Sequence, residues 1–265
     1  MPHSTTDPFF THFDQSIEGI ELPQRFTYPF DYEPHPLCLL AAEQLQHHLY
    51  TQTEWDHNFG LIPDKEGKII GKMFGVMVVR NAQNEIGYLS AFSGKLADGN
   101  NHAKFVPAVF DALTEGSFLN KGMLELNKFG AAIKALEEED KPENEAPISA
   151  LKKQRKDFST ALQEQLFDHY HFLNQAGESK DLRTIFHKNT NSQPPSGAGE
   201  CAAPKLLQYA FKNNLQPLAM AEFWWGLSRR SYFWEHKEFY PACQEKCAPI
   251  LEHMLKGMEL DENPR

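Results

Sequence analysis

The sequence predicts a three-layer α/β domain interrupted by an inserted antiparallel helical hairpin. Three observations predict it. Two apolar runs, KMFGVMVVR and IGYLSAFSG, flank the polar break NAQNE and read as paired central strands. A later apolar run, PLAMAEFWWG, lies between segments whose apolar residues recur at helical spacing. Between these strand-forming regions, residues 121–187 are long, charged and helical in period, which suits a two-helix arm set into an alternating α/β order.

The elements follow in order. Residues 1–35, with the Pro- and aromatic-rich FTYPFDYEPHP, are expected to wrap a surface without regular structure. A helix is expected after Pro36, where Leu37, Leu40, Ala41, Leu45, His48 and Leu49 share a stripe. The turn-rich WDHNFGLIPDKEGK leads to the strand pair, and another helix is expected around Val106 to Leu113. Residues 36–120 thus form the first part of the core.

Within the arm, ELNKFGAAIKALEEED and ISALKKQRKDFSTALQEQLFDHYHFLNQ read as antiparallel helices joined by KPENEAP, with Leu151, Phe158, Leu162, Leu166 and Leu173 on one side. Residues 188–265 return to the core. Pro and Gly rule out helix before Glu200. Leu206, Leu207 and Ala210 give the next helical face, and a polar connection carrying Arg229 and Arg230 precedes a last helix starting near Pro241.

Composition bounds the function. The 265 residues are 41% hydrophobic with 20 Phe, enough for a proper core. No run approaches the roughly 20 apolar residues of a membrane helix, so no membrane partner is expected. The N-terminus shows no basic and apolar signal pattern, and the expected location is the cytoplasm. Cysteines there stay reduced, so the four of this chain read as core residues or metal ligands rather than disulfides. The net charge of −10 argues against a free-standing nucleic-acid binder and fits a protein partner or an attached RNA-binding domain. The cluster Lys152, Lys153, Arg155 and Lys156 reads as a solvated helix face, with phosphate contact as the alternative; Arg229 and Arg230 read the same way for an anion.

The cysteines carry the sharpest chemistry. Cys201 stands at one expected helix start, and Cys243 and Cys247 stand four apart at another, on one side of the helix. Helix N-termini stabilise thiolates. Three thiolates from two helix starts are a zinc ligand set, completed by water or by a histidine among His102, His187 and His236. The competing reading is of small buried hydrophobes, which fits Cys38 on the apolar face of the first helix. His57 is expected to cap a turn, and Trp224 and Trp225 to face opposite sides of their strand, one in the core and one under the arm or in a pocket wall.

This arrangement resembles the zinc-dependent nucleobase deaminases, in which a His or Cys is followed two residues later by Glu and a P-C-x-x-C supplies the other ligands. The resemblance implies a deaminase-like mixed sheet flanked by helices. The chain departs from the pattern twice: Ala203 stands where the general acid/base Glu belongs, and Cys243 and Cys247 are spaced one residue wider. Glu200 and Glu222 are the nearest acidic residues for a proton-transfer role.

A wider set of motifs, PFDYEPHPLCLLAAEQLQ, EWDHNFG, GKMFGVMVV, IGYLSAFSGKL, PPSGAGECAAPKLLQYAF, PLAMAEFWWG and FYPACQEKCAPILEHML, resembles the N-terminal region of a subset of bacterial RluA-type RNA pseudouridine synthases. The resemblance runs from about Pro29 to the C-terminus. It implies a role in converting uridine to pseudouridine in ribosomal or transfer RNA. In that family an aspartate in an H-R-L-D type motif does the isomerisation. This sequence has no such motif, so the resemblance implies an accessory half, either a piece whose synthase domain would follow it and supply the RNA contacts or a protein that lacks the synthase half. A protein-interaction module that docks a partner through the helical arm is the remaining reading.

Overall fold

A computed structural model describes residues 7–190, 193–228 and 234–262. It divides into two compact units. One takes the chain up to Val109 and from His171 onward, and the other is Phe110–Tyr170.

The first unit is organised by a hairpin of β2 (Lys72–Arg80) and β3 (Ile86–Phe92). Its turn closes locally: Asn81 Oδ1 accepts from the N–H groups of Gln83 and Glu85, and Asn84 takes a positive φ of 61°. The order in the sheet is β1-β3-β2-β6-β7, with β1 (Thr11–His12), β6 (Gln216–Trp225) and β7 (Phe239–Tyr240) completing it. The register of β2 against β6 shifts between Val78 and Val79, opposite Pro217, which has no N–H to give the ladder.

Every strand pair is antiparallel, so the mixed sheet expected from the sequence is corrected to an antiparallel one. The reason is strand order. β3 and β6 run in the same direction, but β2 sits between them and pairs antiparallel with both.

Alternation along β2 divides the core between two faces. Phe74, Val76 and Val78, with Ala219, Ala221, Phe223 and Trp225 of β6, pack in one cluster with Leu37, Cys38, Ala41, Ala42, Leu45 and Leu49. Those six lie on α1 (Pro36–Thr51), whose first turn is capped by His35 Nδ1 accepting from Leu37 N–H at 3.2 Å. Fully burying each such aliphatic or aromatic side chain contributes about 1.5–3 kcal/mol. The opposite face is covered by α5 (Ala202–Lys212). There Gly75 permits a close approach: a Cβ on it would lie 2.9 Å from Ala202 Cβ and 3.0 Å from Leu206 Cδ1.

The segment from Val106 to Leu113 is not the expected helix. Val106 N–H instead bonds Ser90 O at 2.9 Å beside β3, Phe105 packs on Phe74 and Phe92, and Pro107 follows. The described residues before α1 are irregular apart from β1 and an isolated bridge of Phe26 to Leu260. Residues 171–187, read from sequence as part of the arm, fold within the first unit. They form β4 (His171–Leu173), β5 (Ser179–Asp181) and most of α4 (Leu182–Thr190).

The second unit contains α2 (Phe118–Glu138) and α3 (Glu145–Asp168), joined through a short 3-10 turn. Gly122 lies against Leu162, the ring of Phe129 is 6.2 Å from that of Phe158, and Lys152 Nζ meets Glu137 at 2.8 Å. These pairings run in opposite order along the two helices. Ser117 caps α2 through Asn120 N–H. No helix among the described residues is long and apolar enough to cross a membrane.

Candidate metal centre

Cys201 is the N-cap of α5 in extended conformation, at the end of a Pro- and Gly-rich approach that includes positive φ at Gly197 and Gly199. Cys243 is the N-cap of α6 (Gln244–Met254), and Cys247 lies one turn inside that helix. The Cys201 side chain makes no capping bond to its own helix, and the Cys243 sulfur turns toward Cys247, so both face the space between the two helix starts. The three sulfurs lie within 4.8 Å of one another, and those of Cys243 and Cys247 are 3.4 Å apart. Cys247 is buried, Cys201 half-buried and Cys243 exposed.

Hydrogen bonding among the thiols decides their protonation in the metal-free protein. Contacts with Cys201 and Cys247 pull the Cys243 thiol well down; the contact with Cys243, opposed by Cys247 and joined by burial, pushes Cys201 up, and both neighbours with burial push Cys247 up.

A carboxyl completes the site. Glu222 on β6 is 4% exposed and accepts from Ala203 N–H at 3.3 Å. Gly75 lies opposite it in register and leaves room for its side chain. Its own N–H bonds Tyr32 Oη at 2.9 Å, and that hydroxyl donates to Tyr240 O. Burial, opposed by the Ala203 bond and reinforced by Cys243, pushes the Glu222 carboxyl up to about 8.

The three cysteines and Glu222 line one cavity of about 370 Å³, together with Met73, Trp224, Trp234 and Lys246. The rings of Trp224 and Trp234 stack at 5.5 Å, and Tyr240 meets Trp234 edge-on. Trp225, the next residue along the strand, faces the core on the α1 side, as the alternation of the strand requires.

The other sequence candidates go elsewhere. Glu200 lies near Gly94 and Gly197, where its charge favours the protonated forms of Lys72 and Lys205. His102 bonds Leu96 O, His236 accepts from Gly226 N–H with its ring on Trp225, and His187 is exposed on α4. Among the described residues, the group close enough to hold one ion consists of the three cysteines alone. His57 ties the loop before β2 by bonding Ile70 O at 2.8 Å. Lys152, Lys153, Arg155 and Lys156 lie on exposed turns of α3, where Lys152 and Lys153 pair with Glu137 and Asp157. Arg229 and Arg230 lie outside the described residues.

Sequence reasoning passed over Lys205. It is 2% exposed, and its Nζ donates to the carbonyls of Phe92 and Gly94 at 2.8 and 2.9 Å. Burial pushes this amine down to about 8. These bonds, with Gly94 N–H to Glu200 O at 2.8 Å, clamp the end of β3 to the chain that delivers Cys201. The signal was a single lysine inside the apolar helix AAPKLLQYAF.

The donor set fits a thiophilic divalent ion. Tetrahedral zinc with bonds of about 2.3 Å separates its sulfurs by about 3.8 Å, within reach of the observed spacing. Three protein sulfurs leave one coordination position open. Compared with protein-family models, curated proteins and solved structures, the chain shows no match.

Proposed function

We propose that this chain is a zinc-binding, deaminase-like domain acting on a nucleobase or nucleotide, with the helix pair as an insertion. The single observation that carries this reading is the convergence of Cys201, Cys243 and Cys247 from two helix starts onto one point. Zinc held there would supply Lewis acidity and an activated water at the open position. The cavity volume falls in the range of small-ligand pockets, and Trp224 and Trp234 give it an aromatic wall suited to a flat ring. Burial of the site behind these rings strengthens every polar interaction made inside it.

The test is metal analysis of the purified protein, beside a matched C243S/C247S variant. About one zinc per chain in the first and none in the second is the expected result. A folded wild-type protein that neither contains nor takes up zinc defeats the reading.

A second reading rests on the resemblance of seven of this chain's motifs, in order, to the N-terminal region of RluA-type synthases. On it the chain is an accessory domain in pseudouridine formation, with RNA held by an attached or partner synthase domain and a protein partner met through the helical arm. A titration with ribosomal or transfer RNA fragments across salt tests direct contact. Salt-independent weak binding would leave RNA to the partner domain.

A further inference from the structure

We infer that Glu222, carried on β6, is the carboxyl that addresses whatever ligand occupies the open fourth position of the metal site, in the place that Ala203 leaves to it. The inference rests on the zinc reading and deepens it by naming the residue.

Three observations carry it. First, Glu222 is buried on the sheet with its carboxyl turned to the start of the helix that Cys201 caps, where it accepts from Ala203 N–H. Its backbone is already engaged by Tyr32 Oη and the β6–β7 pairing, and residue 75 opposite is a glycine. A carboxyl 4% exposed is costly to bury unless it is bonded, and the bond it makes is to the helix start beside the sulfurs. Second, the carboxyl reaches the one helix position that matters. It accepts from the N–H of Ala203, two residues after Cys201, so a side chain from the sheet stands at the root of the one missing from the helix. Third, it lines the same cavity as the three sulfurs, whereas Glu200 is drawn to Lys72 and Lys205.

Cobalt(II)-loaded full-length protein gives a readout that does not depend on turnover. Thiocyanate, an anion that enters an open coordination position, is the probe, and the cobalt absorption bands report its binding. Glu222→Gln keeps the oxygen that accepts from Ala203 N–H and removes the charge. The titratable and charged groups that share the cavity with Glu222 are Cys201, Cys243, Cys247, Glu245 and Lys246, with Tyr32 beside its backbone, and all remain in the variant. With the carboxylate beside the open position replaced by a neutral amide, E222Q is expected to bind thiocyanate about tenfold more tightly than wild type. E200Q is expected to stay within about twofold of wild type. Equal affinities in wild type and E222Q overturn the inference while leaving the zinc reading intact. A wild-type spectrum indifferent to thiocyanate also overturns it, because the fourth position would then be filled by the protein. Failure of wild type to take up cobalt defeats the zinc reading and this inference together.

Discussion

The sulfur of Cys243 stands 3.4 Å from the sulfur of Cys247, one turn further along α6. Cys243 is outside the helix, in extended conformation, while its carbonyl accepts from Cys247 N–H. The wider spacing of this pair is therefore no obstacle to a shared ion: a residue at the cap and one at the first full turn face the same side. Cys201 joins them from the start of another helix, and the partial positive charge of both helix ends favours thiolate there.

Zinc should stabilise the protein through this trio. At a zinc concentration about 100 times the dissociation constant, the gain is about 2.7 kcal/mol. That corresponds to a rise in Tm of about 5–10 °C for the sheet-containing unit. The exposed C243S variant should fold normally and lose most of the rise, and a chelator should reverse it in wild type. A thermal scan with and without metal measures both; an equal rise in C243S would refute the assignment.

Glu222 should give the metal-free protein a distinctive pH dependence. Its folded pKa of about 8 lies above the ordinary 4.5, chiefly because it is buried. Between those values the folded state holds the extra proton, so stability is greatest at low pH and falls as pH rises through this window. Urea midpoints from pH 5 to 8 should decline more steeply in wild type than in E222Q. Parallel lines for the two proteins would show that the carboxyl is not buried as described.

Gly75 is a packing constraint under the site. Gly75→Ala places a methyl against Ala202 and Leu206 at the first turns of α5. Overpacking of this kind costs about 1–3 kcal/mol. Because α5 begins at Cys201, zinc affinity should fall with stability. Chemical denaturation and metal titration read the two effects, and a variant as stable as wild type would contradict the close approach.

The basic stretch of α3 separates solvation from phosphate contact. Lys152 and Lys153 already pair with carboxylates, so any phosphate contact is expected to fall mainly to Arg155 and Lys156. If RNA binds there, R155Q/K156Q should flatten the logarithmic salt slope by about 2. Folding stability should change by no more than about 0.5 kcal/mol. A slope identical to wild type would make this face simply solvated.

Much of this architecture was legible in one dimension. The hairpin of β2 and β3, the strand β6 and the helix α1 each have a local signal, either alternating or continuous apolar residues or a 3.6-residue stripe. The opposite facing of Trp224 and Trp225 follows from the pleat alone. The three cysteines were legible as helix-start residues for the same reason: Pro and Gly forbid helix before Glu200, and Pro241 does so before the last helix. Where local signals compete, reading failed. Val106 to Leu113 has apolar residues at near-helical spacing, yet Val106 gives its N–H to Ser90 across the sheet edge.

Chain chemistry by itself determined the central strands β2, β3 and β6, the helix α1 and which residue types could bind a soft ion, because these depend on neighbours a few positions away. Only the tertiary structure decided which groups meet. Strand order made the sheet antiparallel throughout by setting β2 between β3 and β6. Packing over Gly75 brought the carboxyl of Glu222 to the helix that carries Cys201, and sent Glu200 toward two lysines instead. Contacts between residues 19 positions apart, as Ala203 and Glu222, or 42 apart, as Cys201 and Cys243, depend on how sheets and helices stack, and no local pattern of side chains encodes that.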